Sequence, residues 1–329
     1  MMQEKTARIL IDQALEFAAG DSIYFAFQGG EPTLIGPEFY RFFVAYVRER
    51  NTRRSTVYYS LQTNGTTLDE KWAEFFRDNG FLIGLSLDGD QNANRYRVDA
   101  DRKYTFPRVM QTVKLLQEHE VDFNILTVVT GYTADHIEEI YRFFTSNGLR
   151  YLQFIPCLRP FGDTQESDLY MTREQYTQFL IRLFQLYVKD YVAGHYTSIR
   201  LFDNWVRLFL GQACEQCGVN GHCSHQFVVE AGGNVYPCDF YCLDEWLLGN
   251  VHETTLRDMA HSARAEAFIR ESLTVPDACR TCGFYRVCRA GGCKRNRVNR
   301  DDCASYRAFF GSCLPLFRAF IGEKPPQAH

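Results

Sequence analysis

Residues 22–32 read SIYFAFQGGEP. The first six, Ser22 to Phe27, are rich in the aromatic and β-branched side chains that favour a pleated surface, and the chain then turns through Gln28, Gly29, Gly30, Glu31 and Pro32. The run is preceded by a helical pattern from Thr6 to Ala19 that Gly20 is expected to stop. The same unit recurs downstream. Strand-like runs stand at Thr56–Leu61, Phe81–Leu87, Phe123–Val129 and Tyr151–Ile155, with helical patterns at Glu38–Arg48, Phe106–His119 and Ala134–Asn147. A rhythm of about 30 residues predicts successive βαβ units, hence an α/β fold with a parallel sheet.

In such sheets ligands gather at the carboxyl ends of the strands. Those ends are distinctive here: Gln28-Gly29-Gly30-Glu31-Pro32 after the first, Gln62-Thr63-Asn64-Gly65 after the second, and Ser86-Leu87-Asp88-Gly89 at the third. Paired glycines let backbone approach a ligand closely, while Thr, Asn and Ser supply hydrogen-bonding groups. Each segment taken singly also reads as ordinary turn chemistry.

Bulk properties narrow the function. The 329 residues are 46% hydrophobic and 23% charged, enough for a large domain and a smaller one. A net charge of -4 without a basic stripe argues against nucleic acid, and no apolar run of about 18 residues offers a membrane span. The opening MMQEKTARIL has no signal-peptide character, so a cytoplasmic location is expected. Twelve cysteines in a reducing compartment point to metal ligation rather than disulfides. Only Cys157 lies before residue 200; Cys214, Cys217, Cys223, Cys238, Cys242, Cys279, Cys282, Cys288, Cys293, Cys303 and Cys313 follow. The expected division is therefore 1–212 and 213–329.

The spacing C-x2-C-x5-C at Cys279, Cys282 and Cys288, with Cys293 after Arg-Ala-Gly-Gly, suits iron–sulfur or zinc binding. Upstream, FVVEAGGNVYP reads as a hairpin that turns at Gly232 and Gly233 and delivers Cys238 at its end, near Cys217 and Cys223 in sequence.

Taken in order, the strand-end segments resemble those of the radical S-adenosylmethionine (SAM) enzymes. FAFQGGEPTL, SLQTNGT, GLSLDG, FNILTVVT, YLQFIPCL, SIRLFDNW and CGVNGHCSHQFVVEAGGNVYPCDFY are similar to the anaerobic sulfatase-maturating enzymes over essentially the whole chain. The resemblance implies a partial (β/α)6 TIM-type barrel missing its first strand, followed by a cysteine-rich SPASM iron–sulfur domain. It implies SAM contacts at Gln28, Gly29, Gly30, Glu31, Pro32, Thr63, Asn64, Ser86 and Leu158. The SAM carboxylate falls to Arg97, with Arg95 as the alternative. Two auxiliary [4Fe–4S] clusters are implied, one on Cys217, Cys223, Cys238 and Cys293, the other on Cys279, Cys282, Cys288 and Cys303, with Cys313 as the alternative last ligand. The family's C-x-G-G-C is C-R-A-G-G-C here, one residue longer. Cys157, Cys214 and Cys242 read as small apolar side chains or as thiols beside the ligands.

Asp239, directly after Cys238, matches the family's proton acceptor, and a carboxylate near a buried cluster is expected to have a shifted pKa. The cluster that cleaves SAM normally sits on C-x3-C-x2-C, and nothing before Cys157 supplies a thiolate. The expectation is a truncated start, with that third [4Fe–4S] cluster present only in a full-length parent and no turnover by this chain alone. In the parent, SAM cleavage yields a 5′-deoxyadenosyl radical that takes a β-hydrogen from a sulfatase cysteine or serine, giving formylglycine. The implied partners are a sulfatase polypeptide and an electron donor such as flavodoxin or ferredoxin. The rival readings are another peptide-modifying SPASM enzyme, a non-enzymatic iron–sulfur or peptide-binding protein, and a structural zinc protein.

Overall fold

The computed structural model describes residues 1–160, 162, 165, 167–299 and 303–322. Along the chain the elements are α1 (Glu4–Ala18), β1 (Ile23–Phe27), α2 (Pro37–Arg50), β2 (Val57–Thr63), α3 (Glu70–Asp78), β3 (Phe81–Ser86), α4 (Phe106–Glu118) and β4 (Phe123–Val129). They continue as α5 (Gly131–Asp135), α6 (Ile137–Ser146), β5 (Tyr151–Pro156), α7 (Arg173–Val192), β6 (Ser198–Ile199) and α8 (Arg200–Phe209). After these come β7 (Val228–Val229), β8 (Asn234–Tyr236), β9 (Gly249–Asn250), α9 (Leu256–Ala260) and α10 (Ala263–Ser272). The chain closes on α11 (Asp277–Arg280), α12 (Tyr285–Cys288), α13 (Lys294–Asn299) and α14 (Cys303–Gly322).

Two compact units form, each from non-contiguous segments. One comprises Met1–Ser86, Pro107–Phe123 and Ser224–Glu271; the other comprises Leu87–Phe106, Asn124–Cys223 and Ser272–His329.

In the first unit β1, β2 and β3 pair in parallel in sequence order. Helices follow from capping and periodicity. Ala7, Ile11 and Leu15 bury one stripe of α1, and Asp69 caps α3 by accepting from the Trp72 N–H at 3.1 Å. Gly20 does not itself stop α1. Ala19 takes the left-handed position (φ 52°), its N–H reaching the Leu15 carbonyl, and Gly20 follows it. Aromatic rings fill the space between sheet and helices, with Phe27 edge-on to Tyr40 and Phe43 and Tyr59 stacked on Phe81 at 5.0 Å. The segment 224–271 adds the expected hairpin. β7 and β8 pair antiparallel, β9 joins β8, and Val235, Val251, Leu256 and Met259 bury against Ile9, Leu10 and Ala14 of α1.

In the second unit β4, β5 and β6 pair in parallel. The helix expected over Ala134–Asn147 is two helices, because His136 leaves helical geometry (φ −110°, ψ 23°) while its ring stacks on Tyr132 at 4.0 Å and its Nδ1 engages the Tyr132 carbonyl. The core is aromatic. Phe317 of α14, fully buried, stacks on Phe184 of α7 at 4.2 Å and on Phe209 of α8 at 4.3 Å, and Trp205 lies 5.0 Å from Phe309. Phe317→Ala is expected to cost about 3–5 kcal/mol of stability, whereas Leu273→Ala, at an exposed site, should stay within about 0.5 kcal/mol. Denaturant titration of both variants checks this.

Candidate functional site

The turn after β1 is organised by one carboxylate. Glu31 accepts hydrogen bonds from the Thr33 N–H (3.1 Å), the Thr33 hydroxyl (2.6 Å), the Thr63 hydroxyl (2.8 Å) and the Asn64 N–H (2.8 Å). Its side chain therefore ties the end of β1 to the end of β2. Thr63 is 2% exposed and its hydroxyl also accepts from the Gly65 N–H, so it acts from within the turn. Asn64 accepts from the Thr66 N–H and hydroxyl. Pro32 is fixed by its carbonyl, which accepts from the Tyr40 hydroxyl at 2.9 Å. Burial, and then the charge of Glu31, push that phenol well above its ordinary range, so Tyr40 remains a donor. Gly29 and Gly30 have φ of 91° and 58° with open space where a Cβ would stand. Their backbone is the part of the turn offered to a ligand.

Gln28, beside that glycine pair, points its amide at Asp239, with Nε2 donating to Oδ2 at 3.4 Å. Asp239 follows the β7–β8 hairpin. Its Oδ1 accepts from the Phe240 N–H at 3.0 Å and lies 3.3 Å from the Cys238 sulfur. The carboxylate is exposed. The first unit thus brings Gln28, the Gly29–Pro32 turn, Thr63, Asn64 and Asp239 into one neighbourhood, with Ser86 half-buried at the end of β3. Cys242, exposed, donates to the Cys238 carbonyl at 3.7 Å, and is a thiol beside the site rather than a buried apolar side chain.

Arg97 and Leu158 belong to the second unit. Arg97 is held by Asp88 in a two-point ion pair, Nε to Oδ2 at 2.7 Å and Nη2 to Oδ1 at 2.8 Å, and Asp88 also accepts from the Val128 N–H. Nη1 is left without a protein partner among the described residues. Arg95 is engaged otherwise, its guanidinium over the rings of Tyr96 (4.5 Å) and Tyr132 (4.2 Å). Leu158 is half-buried just beyond β5.

In the second unit Cys279, Cys282, Cys288 and Cys303 are close enough for their charges to act on one another: the Cys288 thiol is pushed up to about 11, chiefly by burial, with a bond from the Gly291 N–H opposing the rise and Cys279, Cys303 and Cys282 adding to it. Cys279 is raised by burial, then by Cys303 and Cys282. Cys313 stands apart. It is 1% exposed, and burial alone raises its thiol, to about 11. Of the two candidates for the last ligand, Cys303 is the one that joins the other three. Four thiols in one place suit a cluster that draws protons off them.

Cys217 and Cys293 are brought near one another by backbone. Gly292 (φ 73°) lies so close to the Cys217–Val219 turn that a Cβ there would meet the Gly218 carbonyl oxygen at 2.0 Å. This backbone contact sets Cys293 beside the Cys217 turn, and the Cys223 N–H is fixed by the Ser272 hydroxyl at 2.9 Å. Cys238 belongs to the first unit. Cys214 is half-buried beside Asn220 (3.5 Å) and Arg289 (3.8 Å).

Comparison with known proteins places this geometry. The radical SAM superfamily model matches residues 2–144, and the SPASM model, an iron–sulfur cluster-binding domain, matches residues 221–283. The cysteine-type anaerobic sulfatase-maturating enzyme of Clostridium novyi is 43% identical over 94% of this chain and 85% of its own length. The chain belongs to the anaerobic sulfatase-maturating enzymes. The enzyme is also 31% identical to the serine-type maturase of Bacteroides thetaiotaomicron, over 96% of this chain and 81% of that protein. The solved structure of native anSMEcpe with bound AdoMet matches with a TM-score of 0.94 and 38% identity, covering 98% of this chain and 90% of that one. The expected α/β radical SAM fold with an iron–sulfur domain therefore holds, and this is an enzyme that modifies a protein residue with SAM and [4Fe–4S] clusters.

Sequence reading missed the organising role of Glu31 and the grip of Asp88 on Arg97; both carboxylates stand inside the motifs it quoted, but their partners are set by the fold. If Cys303 is the fourth ligand, Cys303→Ser halves the iron bound after anaerobic reconstitution, while Cys313→Ser leaves it unchanged. Iron assay of the two variants decides between them.

Proposed function

We propose that the enzyme oxidises a cysteine of a sulfatase to formylglycine, with Asp239 as the proton acceptor. The observation that carries this reading is the contact between Gln28 and Asp239, which sets a carboxylate beside the glycine turn of the proposed SAM site. The higher identity to the cysteine-type relative, 43% against 31% for the serine-type one, supports cysteine as the target.

The reaction removes a hydrogen atom from the cysteine β-carbon, then a proton and an electron. Water then replaces sulfur, giving the aldehyde and hydrogen sulfide. When bound, SAM with its own cluster supplies the hydrogen-atom acceptor and the auxiliary clusters supply the electron acceptor. The side chains do the rest. Asp239, exposed and already accepting from a backbone N–H, takes the proton. Gln28 holds one oxygen of that carboxylate in direction. Glu31, fully engaged within its turn, keeps the backbone of Gly29 and Gly30 presented, with Thr63 and Asn64 fixed behind them. Ser86, Arg97 and Leu158 are the remaining SAM contacts that the sequence resemblance implies. One auxiliary cluster takes Cys279, Cys282, Cys288 and Cys303; the other takes Cys217, Cys223 and Cys293 and, by sequence resemblance, Cys238. Residues 1–212 form the SAM-binding part and 213–329 the auxiliary-cluster part of this assignment. A flavodoxin- or ferredoxin-like donor in a reducing cytoplasm fits the twelve reduced thiols.

The test joins a C-x3-C-x2-C loop ahead of Met1 and follows aldehyde formation on a cysteine-containing sulfatase peptide and on its serine counterpart. The cysteine peptide is expected to react at least about tenfold faster, and a preference for serine would overturn the assignment of target. In the same protein Asp239→Asn should slow turnover by about 100-fold or more, the scale of a lost general base, with iron content unchanged. Unaltered turnover would remove Asp239 from the mechanism. A crosslinked peptide without aldehyde would favour a thioether-forming enzyme instead.

A further inference from the structure

Three residues before Cys217 stands Cys214, a thiol that the cluster assignment leaves over, in the sequence Cys214-Glu215-Gln216-Cys217. C-x2-C is a spacing of metal ligands and equally of redox-active thiol pairs. The surroundings of the two cysteines favour a second use for this pair.

Asn204 of α8, 3% exposed, holds the residues between them. Its Oδ1 accepts from the Glu215 N–H (2.7 Å) and the Gln216 N–H (2.9 Å), while its Nδ2 donates to the Arg200 carbonyl (2.7 Å). Two successive N–H groups aimed at one oxygen curl the backbone around it, and protein groups alone make this curl. Asn220 then touches both cysteines. Its N–H donates to the Cys217 carbonyl at 3.1 Å, and its Oδ1 accepts from the Cys214 thiol at 3.5 Å.

Cys214 is thus no apolar filler. Arg289 Nη1 reaches its sulfur (3.8 Å) together with the Asn220 carbonyl (3.1 Å) and Oδ1 (3.2 Å). Arg289 comes from the loop between Cys288 and Cys293, left-handed at Arg289 (φ 49°) and Ala290 (φ 55°), whose Ala290 and Gly292 carbonyls accept from Arg297 at 3.1 and 3.2 Å. Cys214 and Cys217 are both half-buried, within reach of a small oxidant, whereas Cys313 is sealed at 1% exposure.

We propose that Cys214 and Cys217 form a disulfide when peroxide strips the cluster from Cys217, so that Cys214 keeps this ligand recoverable. The proposal rests on the assignment of Cys217 as a ligand. Hydrogen peroxide gives one oxygen to one of the two thiols, making a sulfenic acid and water. The other sulfur displaces hydroxide from it, and that hydroxide and the second thiol's proton leave as water. Two thiols lose two electrons and the peroxide gains two. Without Cys214 the sulfenic acid meets further peroxide and passes to sulfinic and sulfonic acids, which thiol reductants do not reverse.

The experiment treats the reconstituted chain, Cys214→Ser and Cys217→Ser with hydrogen peroxide, blocks free thiols and cleaves after glutamate without reduction. Cleavage after Glu215 leaves Cys214 and Cys217 on separate peptides that their disulfide joins, and fragmentation in the mass spectrometer tells Cys217 from Cys223. Part of each sample is reduced and reconstituted again, and its iron is counted. The expected main product at Cys214 is the disulfide to Cys217, with iron recovered in the parent. Cys214→Ser should begin with the parent's iron, then accumulate at least about fivefold more sulfinic and sulfonic acid at Cys217 and recover about four fewer irons. A Cys214 that stays free or pairs elsewhere overturns the proposal, as does equal recovery by Cys214→Ser. A lower starting iron content in that variant overturns it too, since Cys214 would then be a ligand itself. Full iron in Cys217→Ser would instead fell the ligand assignment, whatever disulfide forms, and this inference with it.

Discussion

Four thiols gathered in one small volume are a burden unless something cationic sits among them. Burial, with a smaller contribution from its three neighbours, lifts the Cys288 thiol to about 11, so a cluster must displace a proton there. The surrounding structure is arranged around that requirement. Short helices α11 and α12 and the turn between them carry Cys279, Cys282 and Cys288 within a few residues of one another, and α14 begins at Cys303, where the positive end of its dipole favours a thiolate. The aromatic face further along α14 then anchors the ligand-bearing end against α7 and α8.

The same economy governs the first unit. One carboxylate, Glu31, satisfies two hydroxyls and two backbone N–H groups, joining two strand ends that would otherwise be independent loops. Because its lone pairs are spent internally, the ligand-facing surface of that turn is backbone, which is why glycines stand at 29 and 30. The hairpin carrying Asp239 packs on α1, whose Gln13 bonds both the Val251 carbonyl and the Leu256 N–H. The position of the carboxylate thus depends on a helix more than two hundred residues earlier in the chain, a dependence typical of sites built from strand ends and distant loops.

Much of this was legible in sequence. The strands β1 to β5 fall within two residues of their predicted bounds, because aromatic and β-branched runs bounded by turn residues have few alternatives. β6, at two residues, is too short to show a pattern and runs straight into α8. α14 is not among the helices expected from sequence, although Phe309, Phe310, Cys313, Phe317 and Phe320 recur at helical spacing and are all buried. That helix also explains why spacing left Cys303 and Cys313 open. Ten residues along one helix separate them by about 15 Å, and only burial tells which end meets the other thiols. Arg297 left no signal in its run of basic residues, since the carbonyls it bonds are gathered by a left-handed loop.

The central claim, that the cysteines hold two auxiliary [4Fe–4S] clusters, is tested most directly by measuring iron, sulfide and zinc per chain after anaerobic purification and reconstitution. The account predicts about eight irons with matching sulfide. One or two zincs with no sulfide would contradict it and leave a structural metal domain.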